Sequence, residues 1–280
     1  MKIGITGATG QLGQLVVHSL KEKISADDIV ALVRTPEKAA SLGVEARTFE
    51  YNQPNLAEQL KDIDTFLLIS SSEVGQRIPQ HQNVVNLAQE AGVKRIVYTS
   101  LLKADTTNLG LSPEHLATEQ AIEASIMDYT ILKNGWYTEN YTANVAGTVQ
   151  AGTLIGSAGE GKIASATRQD FAEAAVAVLT TEGHTNKTYE LAGDEAYTLA
   201  DLAEELSKQS GKDIPYINLP EQEYSAAIEG FGVPKIYADM LANCDVCASK
   251  NDLFDDSKTL SQLIGRPTTS LADVVKSLLK

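Results

Sequence analysis

Residues Lys2–Gly13 read KIGITGATGQLG, an apolar strand that leads directly into three glycines. Apolar residues then recur at helical spacing, at Leu12, Leu15, Val16 and Leu20. In such a loop Gly7 allows the tight turn from strand to helix, Gly10 lets the backbone approach a diphosphate, and Gly13 lets the helix pack on the strand. The amino end of the helix then faces the anion, so the stretch predicts a phosphate-binding loop.

The glycine spacing is G-x-x-G-x-x-G rather than the G-x-G-x-x-G of the dinucleotide fingerprint, so the glycines alone are weak evidence. Their context strengthens it, because the next apolar strand, Ile29–Val33, ends about twenty residues later, as the fingerprint requires. A glycine-rich turn without a ligand is the alternative. The context favours a dinucleotide.

Composition restricts the class of protein. A chain of 280 residues with 43% hydrophobic residues can form a large domain and a smaller one. Its net charge of −14 repels phosphate backbones, so we expect no direct nucleic-acid binding. Purely apolar runs such as Phe66–Ile69 are too short to span a membrane. Met1 and Lys2 lead straight into the first strand, so no export signal is expected and the predicted location is cytoplasmic.

Cys244 and Cys247 form the sequence CDVC, a spacing found in redox motifs and in half of a zinc site. A four-ligand zinc site needs two more soft ligands, and none of the four histidines is near in sequence. We therefore expect two incidental thiols in a helix-to-loop segment, and no metal site.

Strand and helix patterns alternate along the first half of the chain. The predicted strands after Ile29–Val33 are Ala46–Tyr51, Thr65–Ser70, Arg95–Ser100 and Tyr129–Lys133. The predicted helices are Leu56–Leu60, Gln82–Ala91 and Pro113–Ser125. This alternation indicates a parallel sheet with right-handed crossovers, which places the carboxyl ends of the strands on one side. Four residues at these ends should converge on one crevice, namely Gly7, Arg34, Ser70 and Ser100.

The predicted fold class is α/β, a doubly wound Rossmann sheet with a smaller carboxyl-terminal α/β domain. We assign residues 1–148 to the NADP-binding domain, with a return segment near 164–192 that contains the helix Phe171–Leu179 and the strand Thr188–Leu191. Residues 149–280, mostly 193–280, form the smaller substrate domain. Thr198 is the predicted N-cap of its first helix.

Arg34 follows the second strand, where an NAD-preferring site usually offers a carboxylate to the adenosine ribose. A guanidinium matches a 2′-phosphate in charge and in fork geometry, so this position predicts NADPH in preference to NADH. The alternative is a solvated surface arginine.

Five segments carry a family resemblance: TGATGQLG from Thr6, LVR ending at Arg34, ISSSEVGQR from Ile69, YTSLL from Tyr98 and NGWYTENY from Asn134. The chain resembles the NmrA-like branch of the atypical short-chain dehydrogenases/reductases over essentially its whole length. Within that branch it is most similar to the bacterial NAD(P)H:quinone oxidoreductases of type 2. The resemblance implies NADPH held by Gly7, Ala8, Thr9, Gly10, Gln11, Leu12, Arg34, Ser70, Ser71, Ser72, Asn134, Gly135, Trp136, Tyr137, Thr138 and Glu139.

One departure from the superfamily concerns proton transfer. The usual Y-x-x-x-K pair, in which a tyrosine hydroxyl shuttles a proton, is replaced by His115 and Glu119. Carbonyl and alcohol chemistry is therefore disfavoured, whereas a quinone is electrophilic enough to accept hydride directly. His115 is the one candidate catalytic acid, and the alternative is a helix-surface histidine near a cap at Ser112.

The candidate substrate pocket contains Ser100, Trp136 and Tyr137. Ser100 at a strand end could orient a substrate oxygen or serve only as a cap. The aromatic pair could form an apolar wall against a flat ring, or pack between the domains.

Two functions follow from these features. The first is an NADPH-dependent reductase, without metal or flavin, that transfers hydride to a quinone or another small electrophile in the interdomain cleft. The alternative is a non-catalytic NADP(H)-binding redox sensor that regulates a protein partner. A sugar-nucleotide epimerase is disfavoured by the H-x-x-x-E sequence. The sequence leaves the oligomeric state open, and a homodimer is one option.

Overall fold

The structure is a computed structural model that describes all 280 residues, Met1 to Lys280. Its nine strands are β1 (Lys2–Thr6), β2 (Ile29–Val33), β3 (Glu45–Thr48), β4 (Ile63–Leu68), β5 (Arg95–Leu101), β6 (Asp128–Asn134), β7 (Leu154–Gly156), β8 (Lys187–Leu191) and β9 (Tyr216–Asn218). Seven of them form one sheet in the order β3-β2-β1-β4-β5-β6-β8, with every neighbouring pair parallel. The strand order reverses between β1 and β4, which is where doubly wound sheets bind ligands. The predicted doubly wound sheet is confirmed.

The eleven helices are α1 (Gln11–Lys21), α2 (Arg77–Glu90), α3 (Ser112–Glu123), α4 (Glu139–Thr142), α5 (Val145–Ala151), α6 (Arg168–Thr180), α7 (Leu199–Ser210), α8 (Glu221–Gly230), α9 (Lys235–Ala248), α10 (Thr259–Ile264) and α11 (Leu271–Leu278). Short 3-10 helices span Ala26–Asp28, Pro36–Leu42 and Ala57–Leu60. No helix is both long and apolar enough to cross a membrane.

The sheet is buried on both faces. Ile29 and Ala31 of β2 pack into a core with α1 and α6, whereas Val30 and Leu32 pack into a second core that includes α2 residues. Successive side chains of a strand point to opposite faces, so a strand covered on both sides must be apolar throughout. This explains the unbroken IVALV of β2.

The carboxyl-terminal part has its own core. It is built from α5, α7, α9 and α11 with the parallel pair β7–β9, and Leu199 and Cys244 are fully buried in it. Leu101, Trp136 and Val145 also belong to this core, so it extends across the predicted boundary at residue 148. Within residues 164–192, α6 packs on α1 and β8 pairs with β6.

Several predicted boundaries are wrong. Helix α2 begins at Arg77 rather than Gln82 because Pro79 is tolerated in a first turn, and because the Arg77 backbone N–H donates to the carboxylate of Glu114 on α3 at 3.0 Å. Strand β3 ends at Thr48, not at Tyr51. The predicted helix at Leu56–Leu60 is a 3-10 helix, Ala57–Leu60.

Candidate active site

The glycine turn has the geometry that its sequence predicts. Gly7 adopts a left-handed backbone with φ of +58°, and a Cβ on Gly13 would lie 2.2 Å from the Gly7 carbonyl oxygen. A Cβ on Gly10 would meet only that same oxygen, at 3.1 Å, so the backbone there faces open space. Gly10 caps α1 without any side-chain hydrogen bond, which leaves the first N–H groups of the helix available to an anion. These features fit a dinucleotide diphosphate.

A cavity of about 720 Å³ opens beside this turn. Of the predicted cofactor residues, it is lined by Gly7, Thr9, Gly10, Arg34, Ser70, Ser71 and Ser72. Its volume lies within the range of small-molecule sites. Gly7, Arg34 and Ser70 therefore converge as predicted.

Several residues that were not predicted from the sequence as site residues also line this cavity, including Lys38, Phe49, Glu50, Tyr51, Asn52, Glu73 and Gln80. Lys38 follows Arg34 by four residues, on the 3-10 helix Pro36–Leu42, and this spacing was the available signal for a second cation. The remaining residues come from segments that only the tertiary structure brings to the cavity.

Buried side chains hold the loop between β4 and α2 in place. The Ser71 backbone N–H donates to His81 Nε2 at 3.0 Å, so the ring proton is on Nδ1, which lies 2.9 Å from the Thr118 hydroxyl. Arg77 Nε donates to the Ser71 carbonyl at 2.6 Å. Burial, aided by the charge of Arg77, lowers the pKa of His81 to about 3, so the ring stays neutral and keeps its acceptor. His81 and Arg77 thereby fix the orientation of Ser71.

His115 lies on α3, faces β5 and does not line the cavity. Its Nδ1 is 2.8 Å from the hydroxyl of Tyr98, and only 4% of the residue is exposed. Burial, with the positive field of Arg77 and the neighbouring His81, lowers the pKa of His115 well below its ordinary value. The structure therefore places a neutral, buried imidazole here rather than a surface histidine.

Ser100 does not line the cavity either, which corrects the expectation that it joins Gly7, Arg34 and Ser70. It shares a face of β5 with Tyr98, since side chains alternate along a strand, and its hydroxyl donates to Glu119 on α3. Lys133 Nζ lies 3.8 Å from the same carboxylate and 3.3 Å from that of Glu190. Burial raises the pKa of Glu119. The hydroxyl is thus part of a buried polar network.

The segment after β6 is largely buried. Trp136 packs in the carboxyl-terminal core beside Tyr141, with ring centroids 6.5 Å apart, as the alternative of interdomain packing describes. Tyr137 packs edge-on against Phe171, and the guanidinium of Arg168 lies 4.5 Å from its ring centroid. The predicted cofactor residues in this segment that are buried are Asn134, Gly135, Trp136 and Thr138. Asn134 Oδ1 and Trp136 Nε1 have no hydrogen-bond partner, an arrangement that calls for an additional ligand or a functional explanation.

Four further predicted cofactor residues do not line the cavity, namely Ala8, Gln11, Leu12 and Glu139. Ala8 and Leu12 are buried in the core beneath α1, so only their backbone could contact a nucleotide. Gln11 and Glu139 line a second groove of about 770 Å³ on the outer side of α1. Glu139 accepts the backbone N–H of Arg168 at 2.9 Å and pairs with its guanidinium at 3.4 Å.

Gly135 is the other member of the segment, and its backbone N–H donates to the Leu191 carbonyl at 2.7 Å. A Cβ there would approach that oxygen to 2.9 Å, so glycine allows β6 to continue closely beside β8. Gly135 therefore contributes to the packing of β6 against the edge strand β8.

Cys244 and Cys247 lie inside α9 rather than in a helix-to-loop segment. Both are buried, and burial raises the pKa of both thiols, so neither has the character of a reactive thiolate. No group of three or more His, Cys, Asp or Glu side chains is arranged to hold a metal ion.

The fold and the glycine turn define a nucleotide-binding oxidoreductase of the Rossmann class. Residues 7–182 match the model of the NAD(P)H-binding family, and the chain belongs to that family. The resemblance to the NmrA-like atypical short-chain dehydrogenases/reductases is confirmed.

Individual relatives are similar over their whole length. The chain is 55% identical to quinone oxidoreductase 2 of Escherichia coli K12, covering 99% of this chain and 98% of the relative. A crystal structure of the NADPH-dependent quinone oxidoreductase from E. coli in complex with NADPH superposes with a TM-score of 0.97, covering 99% of this chain and 100% of that one. The Citrobacter sp. triphenylmethane reductase in complex with NADP(H) is 38% identical, with a TM-score of 0.96 and coverage of 99% and 100%.

Proposed function

We propose that the protein is a cytoplasmic, NADPH-dependent reductase that transfers hydride to a quinone bound between its two domains. The observation that carries the proposal is the 55% identity with the E. coli quinone oxidoreductase across 99% of the chain. The cavity beside the glycine turn, with Arg34 at its wall, supports the same nucleotide. The carboxyl-terminal part has a hydrophobic core distinct from those of the sheet, although Leu101 and Trp136 also contribute to it, and this core supports a division into two domains with a cleft between them.

The chain's own residues bind and orient the cofactor. The backbone of residues 7–12 and the amino end of α1 hold the diphosphate, and Arg34 and Lys38 bind the 2′-phosphate. The Ser70–Ser72 wall of the cavity and the segment Asn134–Glu139, in which Asn134 Oδ1 and Trp136 Nε1 lack hydrogen-bond partners, would hold the rest of the nucleotide. NADPH supplies the hydride when it is bound.

Protonation of the reduced quinone does not require an acid on this protein. His115 is buried and neutral, and the tyrosine and lysine of related enzymes are replaced here by His115 and Glu119. Both observations support proton delivery by water after hydride transfer, because a hydroquinone anion is stable enough to await it.

A steady-state assay tests the proposal. The purified protein should oxidise NADPH in the presence of benzoquinone or menadione, saturably in both substrates and faster than it oxidises NADH. Tight NADPH binding without turnover of any quinone would instead support the redox-sensor alternative. Sedimentation of the same preparation shows whether the protein is a homodimer, which the sequence leaves open.

A further inference from the structure

We propose that Glu73 is a specificity-determining residue that competes with the 2′-phosphate of NADPH for Arg34 and so limits the preference for NADPH over NADH. The inference deepens the proposed function and rests on its cofactor site. It arises from an ion pair between two walls of the cavity, in which Arg34 Nη1 lies 3.8 Å from Glu73 Oε1. Both residues line the cavity.

The Glu73 carboxylate is positioned by hydrogen bonds at both ends of the residue. Its Oε2 accepts a hydrogen bond from Gln80 Nε2 at 2.8 Å, and Gln80 is itself only 6% exposed. Its backbone N–H donates to the Ser71 hydroxyl at 3.1 Å. A glutamate on a mobile surface loop could turn away from an incoming phosphate, but this one is held by a buried amide.

The loop that carries Glu73 is anchored as well. His81 and Arg77 bind the Ser71 backbone from below, and the Gly75 backbone N–H donates to the Glu114 carboxylate at 3.1 Å. Glu73 therefore lies between two fixed points of the chain, Ser71 and Gly75. Moving its carboxylate away from Arg34 requires the loss of at least the Gln80 hydrogen bond.

The consequence differs between the two nucleotides. A 2′-phosphate that binds Arg34 must displace the carboxylate from the guanidinium and then remain close to a like charge. The 2′-hydroxyl of NADH carries no charge and meets no such repulsion. Glu73 thus weakens NADPH binding selectively. The side chains of Arg34 and Glu73 are 76% and 50% exposed, so solvent screens the pair and the effect is moderate.

Glu73→Gln tests the inference, because the amide has the same shape and its oxygen can still accept from Gln80. We expect the KM and the Kd for NADPH to fall by about three- to tenfold, since a tenfold change corresponds to only about 1.4 kcal/mol. The values for NADH and the kcat at saturating nucleotide should not change. High salt should reduce the difference between the variant and the wild type.

Glu58→Gln is the matched control, because it removes one negative charge from an exposed residue outside the cavity and should leave both nucleotides unaffected. In an Arg34→Ala background, Glu73→Gln should give a smaller gain. Weaker binding of both nucleotides by Glu73→Gln would show that Glu73 binds the ribose and would overturn the inference, as would an unchanged ratio of the two affinities. The Kd values are measured by direct titration, so they decide the role of Glu73 even if no quinone is reduced and the proposed function fails.

Discussion

In the proposed function, Arg34 is the side chain on which the choice of nucleotide would depend most directly. Its guanidinium stands at the end of β2, on the wall of the cavity, and no backbone group could provide a comparable charge for a phosphate. Its neighbour Lys38 adds a second positive charge to the same wall. Recognition of the 2′-phosphate would therefore depend on one or two side chains.

We expect Arg34→Ala to weaken NADPH binding by about 1 to 3 kcal/mol, the scale of a lost charge-assisted hydrogen bond, while NADH binding barely changes. Calorimetric titration of both nucleotides measures the difference. An equal loss for NADPH and NADH would mean that Arg34 does not contact the 2′-phosphate.

His115 provides a test of where the proton comes from. We expect His115→Ala to reduce kcat only slightly, because the imidazole is buried, neutral and bound to Tyr98 rather than directed at the cavity. Removal of a true general acid would lower the rate by about a hundredfold or more. A variant that binds NADPH normally but loses that much turnover with menadione would show that His115 is a catalytic residue.

At the scale of elements, the glycines of the β1–α1 turn serve two different purposes, nucleotide binding and folding. Gly10 and Gly13 belong to the same motif, yet a Cβ at Gly10 would point into open space apart from one oxygen, whereas a Cβ at Gly13 would overlap the Gly7 carbonyl and lie 2.7 Å from Ala8 Cα. The first glycine of this pair leaves room for a ligand. The second leaves room for the protein itself.

We therefore expect Gly10→Val to abolish NADPH binding while the protein stays folded, and Gly13→Ala to destabilise the fold, because its Cβ has no space. Nucleotide titration and thermal unfolding of the two variants separate these effects. Wild-type NADPH affinity in Gly10→Val would refute the assignment of the turn as the diphosphate site.

The existence and type of the main elements could be predicted because each depends on neighbours within a few residues. Thr198 is the N-cap of α7 as predicted, in a capping box with Asp201, and β2 was predicted to the residue. Element ends were less predictable where a distant partner decides them. Helix α2, for example, begins at Arg77, whose backbone N–H donates to the carboxylate of Glu114 far along the chain.

In the whole molecule, Asp245 joins parts of the carboxyl-terminal unit that are distant in sequence. Its carboxylate accepts the Tyr141 hydroxyl at 2.8 Å and the Ser157 backbone N–H at 2.8 Å, connecting α9 with α4 and with the end of β7. The residue is only 2% exposed. Burial raises its pKa from the ordinary 3.8 to about 6, against the smaller opposing effect of these hydrogen bonds.

This raised pKa predicts a pH-dependent stability. The folded protein binds the Asp245 proton more tightly than the unfolded chain, so the stabilising contribution is complete below pH 3.8 and is lost as the pH rises through about 6. Relative to Asp245→Asn, the free energy of unfolding of the wild type should therefore fall by roughly 2 kcal/mol between about pH 4 and about pH 7. Urea unfolding of both proteins across this range measures it, and parallel curves would contradict the prediction.

By itself, the sequence determined the fold class, the phosphate turn and the class of cofactor. The strand–glycine–helix order, the spacing of apolar residues and the position of Arg34 at a strand end are all local features, and parallel crossovers of one hand then bring the strand ends together. The family resemblance added the quinone substrate. None of these inferences required knowledge of which distant side chains are in contact.

Only the tertiary structure decided which polar side chains face the cavity and which face the interior. Ser100 and His115 turn toward Glu119 and Tyr98 because of the strand face and helix packing on which they lie. Glu73, 39 positions beyond Arg34, is brought to its guanidinium by the ends of β2 and β4, the two strands that flank β1 in the sheet. Such contacts join elements that are far apart along the chain. They depend on the packing of the whole sheet with its helices, which local patterns of sequence do not encode.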